Sequence, residues 1–238
     1  FLARIEPGPM VNLIGPLGTT FGLPPPGGIA LMVGGGVGIP PMIYLAQALA
    51  EDLNNHAVAR PRRGIAFCGV TTRDLLPLTQ EWSTERTREA QGTGQEDREL
   101  DSPVPHAAGL VQPLYNLREF ARFNVPAVVT TDDGSLGMKG FVTDALEQYL
   151  DRWITDNADR NRTIIYTCGP EPMMKRVQQI SARRSIRCQI AVERAMACGM
   201  GTCQSCVIRV KQPEAKPDSR FALACTEGPV FEGDQLLW

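Results

Sequence analysis

The chain has 238 residues, of which 43% are hydrophobic and 21% are charged, and its formal net charge is -2. This composition is typical of an ordinary globular protein and excludes a disordered or fibrous chain. The near-neutral charge gives no reason to expect nucleic acid or an anionic membrane as a partner, and no apolar run reaches the roughly 18 residues of a membrane helix.

The first part of the chain ends in a proline-rich segment. Residues 11–14 predict a strand, and turn-rich sequence follows it as far as residue 28. Three consecutive prolines at positions 24–26 can neither continue a helix nor lie in a central strand. We therefore expect a domain boundary between residues 23 and 28.

From residue 29 onward, short apolar runs alternate with helical stretches. The run 29–33 predicts a strand that is buried on both faces and is followed by glycines and a helix. Similar patterns predict further strands at 65–70, 127–130, 163–167 and 187–192, and helices at 41–54, 114–123, 141–153 and 172–183. This alternation predicts an α/β fold, a parallel sheet with helices on both faces.

One segment interrupts this alternation. Between residues 73 and 101, acidic residues outnumber basic ones and large apolar residues are few. Because such a composition cannot bury much surface, we expect a surface insertion at about 73–112.

Four of the seven cysteines lie between positions 198 and 225, which is a poor layout for the disulfide framework of a secreted protein. We therefore expect a reducing, cytoplasmic setting. The spacing Cys198-x4-Cys203-x2-Cys206, with Cys225 further on, is how plant-type ferredoxins hold a 2Fe-2S cluster. Glycines between the first two cysteines allow backbone N–H groups to turn towards sulfur. We predict that these four cysteines are cluster ligands.

A structural zinc site is the alternative for the same cysteines. Zinc ribbons usually present two separated C-x2-C pairs, whereas only Cys203 and Cys206 have that spacing here. A zinc-stabilised α/β binding module is therefore the less favoured interpretation. Cys68 and Cys188 lie in predicted strands, where small buried hydrophobic side chains are expected.

A glycine loop follows the first buried strand and opens a helix. In Gly36-x-Gly38-x-x-Pro41, bare backbone amides can face a pyrophosphate at a helix N-terminus. A proline stands where the Rossmann fingerprint has its third glycine. Taken alone, the loop is a weak signal, and a tight structural turn is the alternative.

Several motifs occur together in a characteristic order. The glycine loop, the later Cys168-Gly169-Pro170 and the upstream Gly15-Pro16-Leu17-Gly18-x-x-Phe21 resemble the ferredoxin-NADP reductase superfamily. Residues 131–144 and 193–199 narrow the resemblance to electron-transfer subunits of class B dihydroorotate dehydrogenases. The resemblance covers nearly all of the chain except residues 73–112.

The resemblance implies three domains. Residues 1–25 would be the end of a FAD-binding barrel, residues 26–194 an NAD-binding domain and residues 195–238 a 2Fe-2S domain. The implied cofactors are the 2Fe-2S cluster and FAD, with NAD(H) as substrate. The barrel motif that grips FAD would precede Phe1, so we do not rely on FAD binding by these 238 residues alone.

The resemblance also implies a nucleotide site. The glycine loop would lie at the pyridine nucleotide with Cys168, Gly169 and Pro170, beside the flavin. Asp132, Gly134 and Ser135 follow a strand, at the edge where nucleotides bind in such folds. We assign these three residues to the cofactor side, and a plain turn closed by aspartate side chains is the alternative.

The implied function is electron transfer in pyrimidine biosynthesis. Hydride would pass between NAD(H) and FAD, and an FMN-containing dihydroorotate dehydrogenase subunit would be the partner, in a heterotetramer. No acid/base catalytic residue is predicted. NADH is favoured over NADPH, although Arg73 could hold a 2'-phosphate.

Two other functions stay open. A flavin and iron-sulfur subunit of another NAD(P)-linked complex, of the hydrogenase or sulfite reductase type, would share every motif. A stand-alone ferredoxin-like carrier would lack a dehydrogenase partner.

Overall fold

The protein is described by a computed structural model that covers residues 8, 10, 15–55, 63–80, 114–115, 117–212 and 218–238. The strand predicted at residues 11–14 and most of the insertion predicted at 73–112 lie outside the described residues. Within them, no helix combines the length and apolar character needed to cross a membrane.

Strands and helices alternate along most of the described chain. The strands are β1 (Ile29–Gly35), β2 (Arg63–Val70), β3 (Leu114–Tyr115), β4 (Ala127–Thr131), β5 (Met138–Lys139), β6 (Thr163–Cys168), β7 (Arg187–Ala191), β8 (Val207–Lys211), β9 (Ser219–Leu223), β10 (Val230–Glu232) and β11 (Leu236–Leu237). The α-helices are α1 (Ile39–Asn55), α2 (Arg118–Ala121), α3 (Val142–Trp153), α4 (Asn157–Arg162) and α5 (Glu171–Arg184).

The main sheet is parallel at its centre and antiparallel at its edges. Its strand order is β10-β7-β6-β1-β2-β4-β3, and β5 pairs with β4. The strands from β7 to β4 are parallel, whereas β10 and β3 pair in the antiparallel sense. The prediction of a parallel α/β sheet is therefore confirmed.

Strand β1 explains why the first apolar run is uninterrupted. All seven of its residues are buried, and successive side chains point to opposite faces of the sheet. Leu31 and Val33 join the core that includes α3 and α5, whereas Ala30 and Met32 join the core that includes α1. Helices therefore cover both faces, as predicted.

The helix predicted at 114–123 is wrong over its first half. Residues 114–115 form the edge strand β3 instead, and the helix is the single turn α2. Leu117 bridges to Gln80, and the N–H of Arg118 donates to the carbonyl oxygen of Thr79 at 3.0 Å. These contacts with a distant segment hold Leu117 in an extended conformation, so the helix begins only at Arg118.

The C-terminal part forms a small antiparallel sheet in the order β11-β8-β9. Along β8, Ile208 and Val210 are buried while the residues between them are exposed, which is the alternation of a sheet with one buried face. Strand β10, which follows β9 in the chain, does not belong to this small sheet and pairs with β7 instead. The main sheet and the C-terminal unit are therefore joined by backbone hydrogen bonds.

Candidate functional site

A crevice opens where the winding of the main sheet changes direction. Helix α1, which follows β1, packs on one face, whereas α5, which follows β6, packs on the other. Because β1 and β6 are neighbours, their connections separate at the carboxyl ends of the two strands. Ligands bind at such switch points in open α/β sheets.

The two predicted nucleotide loops meet in this crevice. A Cβ atom added to Gly38 would lie 1.9 Å from the carbonyl oxygen of Cys168 and 2.6 Å from the backbone nitrogen of Gly169. Gly36 has φ of +51°, and no atom lies within 4 Å of the position of its Cβ. The backbone of the first loop is therefore held against the second, and it carries no side chain on the open side at Gly36.

Helix α1 begins directly at this loop. Its first turn contains Pro40 and Pro41, whose missing N–H groups would be unpaired at a helix start in any case. Because the helix begins at this loop, the positive end of its dipole points at the crevice, an arrangement that favours an anion such as a pyrophosphate.

A pocket of about 660 Å³ extends from this crevice across the ends of β1, β2 and β4. Its volume is in the range of small-molecule sites, and its lining is mostly apolar. The lining residues are Gly35, Gly36, Gly69, Val70, Thr71, Leu75, Asp132, Phe141, Val142, Thr143, Asp144, Pro170, Pro172, Met173 and Arg176.

Paired glycines let helices approach the sheet at this pocket. Gly35 and Gly69 are partners in the register of β1 and β2. A Cβ atom on Gly35 would lie 2.7 Å from Met173 Sδ, and one on Gly69 would lie 2.8 Å from Val142 Cβ. Larger residues at these two positions would push α5 or α3 away and reshape the pocket.

The loop after β4 is held by Asp133, a residue that the sequence did not single out. Its Oδ1 atom accepts hydrogen bonds from the hydroxyl of Ser135 at 2.6 Å and from the N–H of Ser135 at 2.9 Å. These bonds, the hydroxyl bond first, lower the pKa of Asp133 below its usual value. Ser135 Oγ also accepts from the N–H of Arg73 at 2.8 Å, so it ties the loop after β2 to the loop after β4.

The predicted cofactor residues of this loop separate into two roles. Asp132 lines the pocket, whereas Ser135 is engaged by Asp133 and by the backbone of Arg73. Gly134 has φ of +79° and packs against the side chain of Lys139. Leu75 and Phe141, which line the pocket and are 61% and 66% exposed, were missed because only the fold brings them together.

The predicted cluster loop wraps around the sulfur of Cys198. Its Sγ atom accepts from the N–H of Met200 at 3.5 Å and from the N–H of Cys203 at 3.4 Å. Gly199 and Gly201 have φ of +70° and +86°, in the left-handed region that favours glycine. The predicted turning of backbone N–H groups towards sulfur is present in this loop.

The other sulfurs lie close enough to influence one another's ionisation. Hydrogen bonds from Ser205, and then from Cys198, lower the pKa of Cys203 to about 6. A hydrogen bond with the Cys206 side chain, followed by desolvation, raises the pKa of Cys225. Hydrogen bonds therefore connect Cys203 with Cys198 and Cys225 with Cys206.

The four cysteines would supply the four thiolates that a 2Fe-2S cluster requires. In the described ranges, no three His, Cys, Asp or Glu residues are grouped closely enough to hold a metal ion. Cys206 and Cys225 are only 2% exposed, so one side of the centre would be shielded from water.

Comparisons with known proteins agree with this geometry. Residues 193–237 match the family described as the iron-sulfur cluster binding domain of dihydroorotate dehydrogenase B, and residues 111–179 match the oxidoreductase NAD-binding domain. A solved structure titled for the NADH-dependent reduced ferredoxin-NADP oxidoreductase, on flavin-based electron bifurcation, superposes with a TM-score of 0.64 at 25% identity. That match covers 99% of this chain and 63% of the other. The chain is therefore an oxidoreductase component with a ferredoxin-NADP reductase-like fold, in which an NAD-binding domain precedes an iron-sulfur cluster binding domain.

Curated relatives narrow the class further. The Desulforamulus reducens protein is 28% identical over 240 residues, which cover 100% of this chain and 69% of the relative. The Geobacillus thermodenitrificans and Streptococcus mutans proteins are 29% and 27% identical, over 68% and 69% of their own lengths. Each is named dihydroorotate dehydrogenase B (NAD(+)), electron transfer subunit. This chain is a homologue of those electron transfer subunits, which confirms the resemblance drawn from the motifs.

Proposed function

We propose that the protein passes electrons between NAD(H) and a dehydrogenase partner by means of a 2Fe-2S cluster and FAD. The observation that carries the proposal is a cysteine loop whose N–H groups turn towards Cys198 Sγ, in a region that matches an iron-sulfur cluster binding family, within a chain that also has a crevice at its sheet switch point. One cofactor site suits single electrons and the other suits a hydride donor, so the combination fits a converter between the two kinds of transfer.

We propose Cys198, Cys203, Cys206 and Cys225 as the cluster ligands. When bound, the cluster would carry electrons one at a time, and FAD would exchange a hydride with the nicotinamide. The chain's own residues would supply thiolates, direct the N–H groups of Met200 and Cys203 at Cys198 and exclude water around Cys206 and Cys225.

We propose that NAD(H) lies with its pyrophosphate at Gly36, Gly38 and the start of α1 and with its nicotinamide towards Cys168, Gly169 and Pro170. The adenosine would then extend along the pocket to Asp132, whose carboxylate suits a ribose 2'-hydroxyl and would repel a 2'-phosphate. Arg176, which also lines the pocket, shares Glu147 with Arg183, at 3.0 Å and 2.7 Å, so the three side chains together carry one positive charge. The carboxylate of Asp132 is therefore the feature that supports NADH over NADPH.

The proposed partner is an FMN-containing dihydroorotate dehydrogenase subunit that oxidises dihydroorotate to orotate, in a cytoplasmic heterotetramer of pyrimidine biosynthesis. The names of the relatives support this choice. Met196 and Met200, on either side of Cys198, are 45% and 59% exposed, so apolar surface borders the cluster loop. Such surface suits contact with another protein.

A second candidate is a subunit of another NAD(P)-linked reductase complex. It is supported by the structural similarity to the NADH-dependent reduced ferredoxin-NADP oxidoreductase, which shares this fold. The two candidates differ in the protein partner and in the substrate that the partner oxidises or reduces.

The proposal is tested by expressing the complete gene anaerobically with its genomic neighbours. We expect a brown complex that contains iron and acid-labile sulfide and reduces NAD when dihydroorotate is added. An iron-containing complex that ignores dihydroorotate would support the second candidate, and a chain that purifies alone with iron would indicate a stand-alone carrier.

A pair of cysteine variants tests the ligands themselves. We expect Cys203→Ser to lose the visible spectrum of the cluster, because serine replaces a thiolate ligand. The control is Cys188→Ala, which removes a buried thiol from strand β7 and is expected to keep the spectrum. An unchanged spectrum in Cys203→Ser, or a wild-type protein without iron, would contradict the redox assignment.

A further inference from the structure

The outer edge of strand β10 is closed by the segment that precedes the main sheet. One edge of β10 pairs with β7, and Thr19 occupies the other. The Thr19 hydroxyl donates to the carbonyl oxygen of Val230 at 3.0 Å and accepts from its N–H at 3.3 Å, while the N–H of Thr19 donates to the carbonyl oxygen of Gly228 at 2.5 Å. A single residue thus satisfies groups that an edge strand would leave unpaired.

The residue before Thr19 shows how closely the two segments approach. A Cβ atom added to Gly18 would lie 2.0 Å from the carbonyl oxygen of Gly228 and 2.8 Å from Pro229 Cδ. Gly18 also has φ of +71°, which other residues rarely adopt. The contact therefore depends on glycine at this position.

The segment is also held at Gly22, three residues after Thr19. The N–H of Gly22 donates to Gln189 Oε1 at 2.9 Å, and its carbonyl oxygen accepts from the hydroxyl of Tyr166 at 2.7 Å. Gln189 is 5% exposed, and its Nε2 atom donates to Glu232 in β10 at 2.7 Å. Both anchors of residues 19–22 therefore reach β10, one directly and one through Gln189.

The start of the segment lies on the cluster loop. Leu17 Cδ1 lies 3.0 Å from the position that a Cβ atom on Gly199 would take, so the leucine side chain covers this glycine. Gly199 directly follows Cys198, whose sulfur accepts hydrogen bonds from the N–H groups of Met200 and Cys203. The same segment thus contacts the cluster loop and three strands of the main sheet, β10, β7 and β6.

We propose that residues 17–22 act as a strap that positions the cluster loop against the nucleotide-binding sheet, with Leu17 and Thr19 as positioning residues. The inference rests on the proposed function, because it assumes that Cys198 is a cluster ligand. Electron transfer slows steeply with distance, so a chain with both sites needs a fixed spacing between them. The strap supplies a direct link along one short stretch of chain.

Two substitutions test the two contacts of the strap separately: Leu17→Ala tests the contact with the cluster loop, and Thr19→Val tests the hydrogen bonds to β10. Leu17→Ala uncovers Gly199, and water then stabilises the reduced cluster, which carries one more negative charge than the oxidised cluster. We expect its midpoint potential to rise relative to wild type. Thr19→Val keeps the shape of the side chain but removes both hydroxyl hydrogen bonds to Val230.

The experiment measures hydrogen exchange and the electron paramagnetic resonance spectrum of the reduced complete complex. For Thr19→Val we expect faster exchange at residues 198–201 and 228–230 and a broadened cluster spectrum, because the loop is less fixed. Thr19→Ser retains the hydroxyl and is expected to restore both. Thr20→Val changes the neighbouring exposed threonine, which makes none of these contacts, and is expected to match wild type.

The outcomes separate this inference from the proposed function. Wild-type protein without iron would overturn the proposed function and the inference with it. An iron-containing wild type, with Leu17→Ala unchanged in potential and Thr19→Val unchanged in spectrum, would overturn the strap alone. Faster exchange at residues 228–230 without any change at the cluster would also overturn it, since the contact would then be purely structural.

Discussion

At the scale of single residues, Gly38 decides whether the two nucleotide loops can meet. A side chain there would collide with the backbone of Cys168 and Gly169, which cannot turn away as a flexible side chain would. We expect Gly38→Ala to cost about 3 kcal/mol, at the upper end for overpacking. This would lower Tm by roughly 6 to 12 °C and abolish tight NADH binding. Thermal denaturation and NADH titration would measure the two effects.

The control for this prediction is Gly36→Ala in the same loop. Open space surrounds the position of its Cβ, so only the positive φ opposes the substitution, at about 1 kcal/mol. Equal losses of Tm in the two variants would show that the loops do not touch as described.

Glu232 is a second residue with a measurable consequence, in this case for pH dependence. Partial burial opposes its charge, but hydrogen bonds from Arg187 and Gln189 and the charge of Arg187 lower its pKa overall, below the usual 4.5. A carboxyl with a lowered folded-state pKa stabilises the fold above its unfolded pKa, and that contribution is lost as pH falls through the folded value.

We therefore expect Glu232→Gln to be less stable than wild type at pH 7 by less than about 1 kcal/mol, since the pair is partly exposed. The difference in Tm should persist down to about pH 5 and shrink below pH 4.5. Melting curves at several pH values would measure it, with the exposed Glu51→Gln as control. A difference that grew towards low pH would contradict the assigned direction.

At the scale of elements, helix α5 joins the nucleotide crevice to the end of the chain. Its first residue, Glu171, pairs with Arg194 at 3.4 Å, just ahead of the cluster loop. Further along, Gln178 accepts from Trp238 Nε1 at 2.7 Å and donates to the carbonyl oxygen of Leu236 at 3.0 Å. The helix therefore contacts the segment just before the cluster loop with its first residue and the end of the chain with its middle.

We expect Gln178→Ala to destabilise the protein by about 2 kcal/mol, because it leaves the indole N–H and a carbonyl group partly buried without partners. The expected fall in Tm is roughly 4 to 8 °C. Gln179→Ala, one position further along and exposed, should change stability by less than about 0.5 kcal/mol. Similar melting curves for the two variants would show that Trp238 does not depend on Gln178.

Elements with a local signal were the predictable part of this fold. The buried runs of β1, β2, β4 and β6 and the helices that follow were predicted because each carries its periodicity in its own residues. Strands β3, β10 and β11 were not, since two or three residues hold too little pattern, and β8 and β9 contain charged residues instead of an uninterrupted apolar run. The helix predicted from residue 114 was wrong because a bridge from Gln80, distant in sequence, overrides the local preference.

The candidate site likewise contains residues that a local sequence pattern indicates and residues that it does not. Cysteine spacing and the glycine loop are local patterns, and each indicates its region from a short stretch of sequence. Leu75 and Phe141 come from loops after different strands, and Gly22 meets Gln189 across more than half of the chain. Only the fold brings such residues together, so no sequence window could reveal them.

At the scale of the whole molecule, the two sheets share one core but differ in what holds them. Ile208, Val210 and Ala222 of the small sheet belong to the same buried cluster as Leu31 and Val33 of the main sheet. In the part of the chain that the structure describes, however, the small sheet has only three strands, and the first two along the chain are flanked by proposed cluster ligands, Cys206 before β8 and Cys225 after β9. Its stability should therefore depend on the cluster more than that of the main sheet does.

We accordingly expect iron removal by an anaerobic chelator to accelerate hydrogen exchange selectively. Amides of β8 and β9 should exchange faster once the four thiols are no longer joined, whereas those of β1 and β6, buried in the centre of the main sheet, should keep their protection. Saturating NADH in the same experiment should protect the ends of β1 and β6 without restoring β8 and β9. Equal acceleration in all four strands would instead mean that the chain unfolds as one cooperative unit, with the cluster stabilising the nucleotide crevice as much as its own loop.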